Sequence, residues 1–202
     1  MKVIEQLLIN AGIAPIAGVD EAGRGACAGP LVIAAVIVPN PLAPELSVVR
    51  DSKEIAENKR EEIFEVIKSI ATSISVVIVA ASEVDSRGVH AANLDGMRRA
   101  VYGLEQIPAY VLTDGYAIEG LGLPNLAVWK GDQVVVSISA ASIIAKVTRD
   151  RIMRDLDLQF PEYGFAGHKG YITASHTRAL KSHGVCTEHR RSFANIAALI
   201  HK

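Results

Sequence analysis

The chain has 202 residues, half of them apolar and 21% charged, with a formal net charge of −1; that balance excludes a disordered tail and gives enough length to bury one sizeable core. Apolar runs such as Leu31 to Val38 stop well short of the roughly 18 residues that a membrane-spanning helix needs, and the N-terminus lacks the long apolar stretch of a secretory signal. Two cysteines far apart, Cys27 and Cys186, do not make a disulfide scaffold, so a reducing, cytoplasmic setting is expected.

In chain order, Val3 to Ile9 reads as a short amphipathic helix, and Ile16 to Asp20 as a short strand entering a glycine cluster. Leu31 to Val38 is a β-branched run, apolar on both faces, which predicts a central covered strand. Three prolines make Pro39 to Val49 a loop. Ala56 to Ile70 carries the 3.6-residue apolar period of a helix, and Ile74 to Ala80 reads as another buried strand. A helix over Asn93 to Gln106 follows, then strands over Ala109 to Thr113 and Asn125 to Trp129, with Trp129 expected in the core. Val134 to Leu158 reads as one long helix, rich in small residues that allow close packing on a sheet. Pro161 to Gly170 is turn-rich; helices over Thr173 to His183 and Ser192 to Ile200 end the chain, the last with Ser192 as its N-cap. The alternation predicts a mixed α/β fold.

The neutral total hides an asymmetry. Residues 1–145 hold 17 acidic and 11 basic side chains, whereas residues 146–202 hold 5 acidic and 10 basic, together with five of the six histidines. An acidic body with a basic end fits a chain that gathers carboxylates in one half and holds a polyanion with the other, although solvated surfaces of opposite sign would look the same.

Asp20 and Glu21 close the first strand, Asp114 closes a later one, and Asp132 follows a third at short distance. Ligand sites in α/β sheets collect at such ends, so four carboxylates are expected to converge on a small volume, the other reading being that each acid merely tips a strand or caps a helix. Clustered carboxylates repel unless cations hold them, and all-oxygen ligation selects Mg²⁺ or Mn²⁺, two of which can serve the attacking and leaving oxygens of a phosphoryl displacement. The adjoining turn Gly23-Arg24-Gly25 lets backbone amides approach a ligand and adds a guanidinium fork. Its loose match to a dinucleotide fingerprint fails, because a strand follows where a helix N-terminus is needed.

These residues, with Asp51-Ser52-Lys53, Thr113-Asp114-Gly115, Lys130-Gly131-Asp132, the run Ser137 to Asp150, Tyr163-Gly164-Phe165 and His168-Lys169-Gly170-Tyr171, resemble bacterial type 2 ribonuclease H (ribonuclease HII) over nearly the whole chain. The resemblance implies a ribonuclease H-like mixed five-stranded sheet flanked by helices, with a catalytic core over 1–157 and a C-terminal helical segment over 158–202 that contributes to hybrid binding. It implies that Asp20, Glu21, Asp114 and Asp132 bind two divalent ions, Mg²⁺ or Mn²⁺, and carry catalysis. It also implies that Gly23, Arg24, Gly25 and Tyr171 recognise the ribonucleotide at an RNA–DNA junction. The substrates implied are RNA–DNA hybrids and ribonucleotide-containing duplex DNA, acted on by a monomer away from membranes. One departure is Ala26-Cys27, where many relatives have Pro-Leu.

Read from the residues themselves, Ser52 and Lys53 suit phosphate binding, and Lys146, Lys169, His168, Arg190 and Arg191 would extend a basic face along a duplex. Tyr171 could lay its ring on a sugar and turn its hydroxyl to a 2′-OH, or simply be core. The late histidines are expected on a nucleic-acid surface or as helix caps. The rival reading is a nucleic-acid binding module without chemistry, which would have no need to gather four acids.

Overall fold

The computed structural model describes residues 3–49 and 56–200. Ser52 and Lys53, with Asp51, lie outside the described residues. In chain order the elements are α1 (Val3–Asn10), β1 (Ile16–Ala22), β2 (Leu31–Ile37), α2 (Glu57–Ile70), β3 (Ser73–Val79), α3 (Ala81–Arg87), α4 (Val89–Tyr102), β4 (Tyr110–Asp114), β5 (Asn125–Val128), α5 (Gly131–Val134), α6 (Val136–Gln159), α7 (Phe165–His168), α8 (Ala174–His183) and α9 (Ala194–Ile200). Among the described residues one sheet runs in the order β3-β2-β1-β4-β5. β1 pairs antiparallel with β2 and parallel with β4, and β4 pairs parallel with β5, so the carboxyl ends of β1, β4 and β5 share one edge. The expected mixed five-stranded sheet flanked by helices is present.

Strand alternation divides the sheet between two cores. Val32, Ala34 and Val36 face α6 and α2, meeting Ala140, Ala141, Ile144, Ile63 and Ile67. Leu31, Ile33, Ala35 and Ile37 face α4, meeting Ala92, Met97, Ala100 and Val101. Every residue of β2 is buried, because β2 is central and covered on both sides. The small residues of α6 have a specific counterpart at Gly18, where an added Cβ would stand 2.1 Å from the backbone carbon of Ser137. Helix α6 therefore touches the β1 backbone itself, and any side chain at Gly18 would push it off the sheet.

Several expectations change. β3 is not a buried strand: it is the edge of the sheet, with Val76 38% and Ile78 53% exposed, since a β-branched run does not reveal whether a neighbour will cover it. The helix expected from Asn93 begins earlier, as α3 and α4 on either side of Gly88, and stops at Tyr102. The loop over Pro39 to Val49 contains a 3₁₀ turn at Pro44–Val49, and the turn-rich stretch before Gly170 contains α7. Ser192 does not cap α9: its hydroxyl donates to Asp85 at 2.6 Å, and the helix starts two residues later. Trp129 is 82% exposed rather than core, because β5 is the other edge and the ring stands past its end.

The C-terminal helices pack on the far end of α6. Met153 and Leu156 meet Tyr163, Phe165, Leu180 and Ile196 there, with Cys27 and Ala28 from the turn after β1.

Candidate active site

The parallel register sets Val19 beside Thr113, so Asp20 and Asp114 follow at neighbouring strand ends. Asp114 pairs in turn with Val128, four residues before Asp132. By alternation Asp20 shares the α6 face of β1 with Gly18 and Ala22, which places its carboxyl toward Ser142. One cleft is lined by Asp20, Glu21, Gly23, Arg24, Gly25, Arg60, Asp114, Ser142, Lys146 and Tyr171. It continues past Glu21, Arg24 and Asp114 to Tyr116, Trp129, Lys130, Asp132 and Gln133. All four carboxylates expected from the sequence therefore border one continuous cleft at the carboxyl edge of the sheet.

Their surroundings show the repulsion that such clustering implies. Burial first, and then the charges of Glu21 and Asp114, push the Asp20 carboxyl well above the ordinary carboxylate range. Asp20 accepts from the Glu21 amide at 2.7 Å and Asp114 from the Gly131 amide at 2.7 Å. Among the described residues no three Asp, Glu, His or Cys side chains already converge on one ligation point. The donor set nevertheless fits Mg²⁺ or Mn²⁺, which take one or two carboxylates each and fill the remaining positions with water and substrate oxygens. A cation there would also relieve the charge that raises Asp20.

Beside the carboxylates lies the glycine turn. Gly23 adopts φ 88°, and a Cβ there would sit 1.9 Å from Nε of Arg149. Arg149 is fully buried and donates to the carbonyls of Pro30 (2.9 Å), Ala28 (3.1 Å) and Lys169 (2.9 Å). Arg190, also fully buried, donates to the carbonyls of Gly29 (3.0 Å) and Arg24 (3.1 Å). Burial, with the Arg149 charge second, lowers its guanidinium to about 10. The expectation that Arg190 lies on a basic surface is thus corrected: the carbonyls of Arg24, of the consecutive Ala28, Gly29 and Pro30, and of Lys169 consume the two guanidinium forks, which then organise the site from beneath.

Tyr171 is 42% exposed and belongs to the cleft, not the core. Three consecutive carbonyls hold its segment: Lys169 accepts from Arg149, Gly170 from the Cys27 amide at 3.0 Å, and Tyr171 bonds His176 Nδ1 at 3.0 Å. His176 Nε2 lies 3.1 Å from His189 Nε2, and His189 Nδ1 accepts from the Cys186 amide at 3.0 Å. That last bond fixes both tautomers: His189 donates from Nε2 to His176, and His176 donates from Nδ1 to the Tyr171 carbonyl. Both rings are buried, which corrects the expectation of a surface or capping role for these two histidines; His183 is exposed in the last turn of α8, and His201 lies outside the described residues.

Lys146 lines the cleft and pairs with Asp150 at 2.6 Å, and Arg60 stands 3.7 Å from the same buried carboxylate. Lys169 turns its amine to Glu57 at 3.8 Å instead of into the cleft. Arg24 lies over the Tyr116 ring, 4.4 Å from its centroid, and donates to its hydroxyl at 2.7 Å. Arg60, Ser142, Tyr116, Trp129, Lys130 and Gln133 were not foreseen as cleft residues; proximity of the last four to Asp114 and Asp132 in the chain is the signal that could have found them.

A profile of the Ribonuclease HII family matches residues 17–196. The chain is 57% identical over 192 residues to the ribonuclease HII of Acidothermus cellulolyticus, covering 95% of this chain and 62% of that relative, so it spans less than two thirds of the relative's length. It is 53% identical over 203 residues to the ribonuclease HII of Rhodococcus opacus, covering 100% of this chain and 89% of the other. The solved ribonuclease H2 from Pyrococcus horikoshii OT3 is similar with a TM-score of 0.80 at 27% identity, covering 92% of this chain and 97% of that one. Bst-RNase HIII, solved in complex with Mn²⁺, shares the fold with a TM-score of 0.66 at 20% identity, covering 92% of this chain and 69% of that one.

Proposed function

The chain belongs to the ribonuclease HII family and is a nuclease of that kind; we propose that it cuts the RNA strand of RNA–DNA hybrids and incises duplex DNA at single embedded ribonucleotides. The observation that carries this reading is the meeting of Asp20, Glu21, Asp114 and Asp132 along one cleft that is also lined by the Gly23 to Gly25 turn and Tyr171. The carboxylates can serve any phosphodiester, and the turn and the tyrosine offer the groups that would tell a ribose from a deoxyribose.

Asp20, Glu21, Asp114 and Asp132 would hold Mg²⁺ or Mn²⁺, which when bound supply an activated water and stabilise the departing 3′ oxygen, leaving 5′-phosphate and 3′-hydroxyl ends. Backbone groups of Gly23 to Gly25 approach the 2′-OH: Gly23 at φ 88° lets the turn close over the buried Arg149, and Gly25 leaves the side toward Tyr171 open, where an added Cβ would stand 3.9 Å from the ring. Tyr171 packs its ring on the adjoining sugar and turns its hydroxyl to the same 2′-OH. Lys146, steadied by Asp150, faces the phosphate beside the reacting one. The binding-only alternative has no observation in its favour, since it gives no reason for four acids to border one cleft.

The deciding experiment is incubation of the protein with a duplex bearing one ribonucleotide, and separately with a long hybrid, with Mg²⁺, Mn²⁺ or chelator. Metal-dependent incision beside the ribonucleotide, giving a 3′-hydroxyl, is expected. Intact duplex with either metal would refute the proposal.

A further inference from the structure

The carboxylates stand where two arms of the cleft meet. One arm passes Gly23, Gly25 and Lys146 to Tyr171. The other passes Gly115, Tyr116 and Lys130 to Trp129, and Glu21, Arg24 and Asp114 border both. The proposed reading of a ribonucleotide occupies the first arm and leaves the second without a role.

Beyond the carboxylates the second arm carries two aromatic rings and the Lys130 cation, on a backbone held by hydrogen bonds. Trp129 is 82% exposed, although the residue before it, Val128, is buried. Its backbone is held on both sides: the Gly115 amide donates to the Val128 carbonyl at 3.1 Å, and the Gly131 amide donates to Asp114 Oδ1 at 2.7 Å. Between them Lys130 is forced into the left-handed region at φ 52°, a strained conformation for a residue with a Cβ. The short segment carrying Trp129 and Lys130 is thus tied directly to one of the four carboxylates. Tyr116 is fixed as well, under Arg24 and edge-on to His90 at 5.3 Å.

A strand whose reacting phosphate lies at the carboxylates, and whose ribose meets Tyr171, must leave along the other arm. We propose that this arm holds the nucleotides of the cleaved strand on the far side of the scissile phosphate from Tyr171, with the Trp129 ring packed on a sugar and base edge and Lys130 facing a phosphate. An exposed aromatic ring beside a cation in a groove is the combination that tracks a nucleic-acid strand without reading its sequence. A protein partner would not account for the linkage of this segment to Asp114. The inference rests on the nuclease reading and adds a contact that the reading does not require.

Trp129 is the one tryptophan of the chain, so emission excited beyond the tyrosine absorption reports this ring alone. The full chain in chelator, which prevents cleavage, is titrated with a dye-labelled duplex carrying one ribonucleotide; label anisotropy follows binding while tryptophan emission is read in parallel. Emission is expected to change with the same midpoint as the anisotropy. W129A, at an exposed position, should fold normally and weaken binding about fivefold to tenfold, with W129F retaining most of the affinity. A duplex whose cleaved strand stops at the scissile phosphate on this side should abolish both the emission change and the W129A effect, while still sensing Y171A. Saturated anisotropy with unchanged emission, or W129A binding as tightly as wild type, would overturn the inference and leave the nuclease reading standing. Failure of any duplex to bind would overturn the inference, and the nuclease reading falls only if the duplex also stays intact with either metal. Emission that depends on protein concentration without duplex would assign the ring to contact with a second copy instead.

Discussion

Arg149 lies beneath Tyr171, its guanidinium carbon 5.7 Å from the ring centroid, while the same side chain packs against Gly23 and bonds the carbonyl of Lys169. One buried cation therefore sets the distance between the glycine turn and the tyrosine, the two groups proposed to read the ribose.

Arg149→Lys shortens the fork, and one amine cannot reach the carbonyls of Ala28, Pro30 and Lys169 together. Leaving buried acceptors unpaired costs on the order of 3 kcal/mol, or a Tm drop of roughly 6–12 °C. At a temperature where the variant is folded, kcat/KM on a single-ribonucleotide duplex should fall more than on a long hybrid. An unchanged ratio of the two would show that the spacing does not matter for recognition.

Asp20→Asn, and equally Glu21→Gln, Asp114→Asn and Asp132→Asn, should cost more than about a hundredfold in turnover, since even the outer partners of metal ligands act on a ten- to hundredfold scale. For Asp20 the stability sign follows from its raised carboxyl. The folded state holds the proton more tightly than the unfolded chain, so its contribution is complete below the ordinary carboxylate range and is lost as pH rises through the raised value. Metal-free wild type should therefore lose stability on the alkaline side of that window, Asp20→Asn should not, and Mg²⁺ should raise the wild-type Tm. Thermal melts against pH, with and without metal, check all three.

Tyr171→Phe removes one hydroxyl and keeps the ring, so its loss on a single-ribonucleotide duplex should be of order 1 kcal/mol in kcat/KM. Tyr171→Ala removes the platform as well and should cost about 1–3 kcal/mol more. Metal titration should be the same for both variants. Two variants matching wild type on that duplex would remove Tyr171 from recognition.

His189 is pulled down to about 4, by burial first and by the neighbouring His176 second. The unfolded chain takes up the proton near 6.5 and the folded one near 4, so the contribution is complete above about 6.5 and is lost as pH falls through the folded value, by at most about 1.4 kcal/mol per pH unit. His189→Asn keeps an acceptor for the Cys186 amide without titrating. The difference in Tm between wild type and this variant, followed from pH 7 downward, should shift against wild type as pH drops through that window; a difference that stays constant would refute the neutral pair.

Much of the site was legible in the sequence because its signals are local. Asp20, Glu21 and Asp114 each end or adjoin an apolar strand, and strand ends in such sheets are where ligands gather, so their convergence could be argued before any register was known. The central position of β2 was equally plain from seven consecutive buried-type residues. What the tertiary structure alone decided depends on partners far along the chain. Whether β3 and β5 became edges, and hence whether Ile78 and Trp129 met water, was settled by strand order and not by composition. Arg149 and Arg190 look like surface cations in the sequence, because a guanidinium is stable buried only where several acceptors surround it. Those acceptors are backbone carbonyls up to 166 residues away, and a backbone carbonyl carries no mark of identity in a sequence.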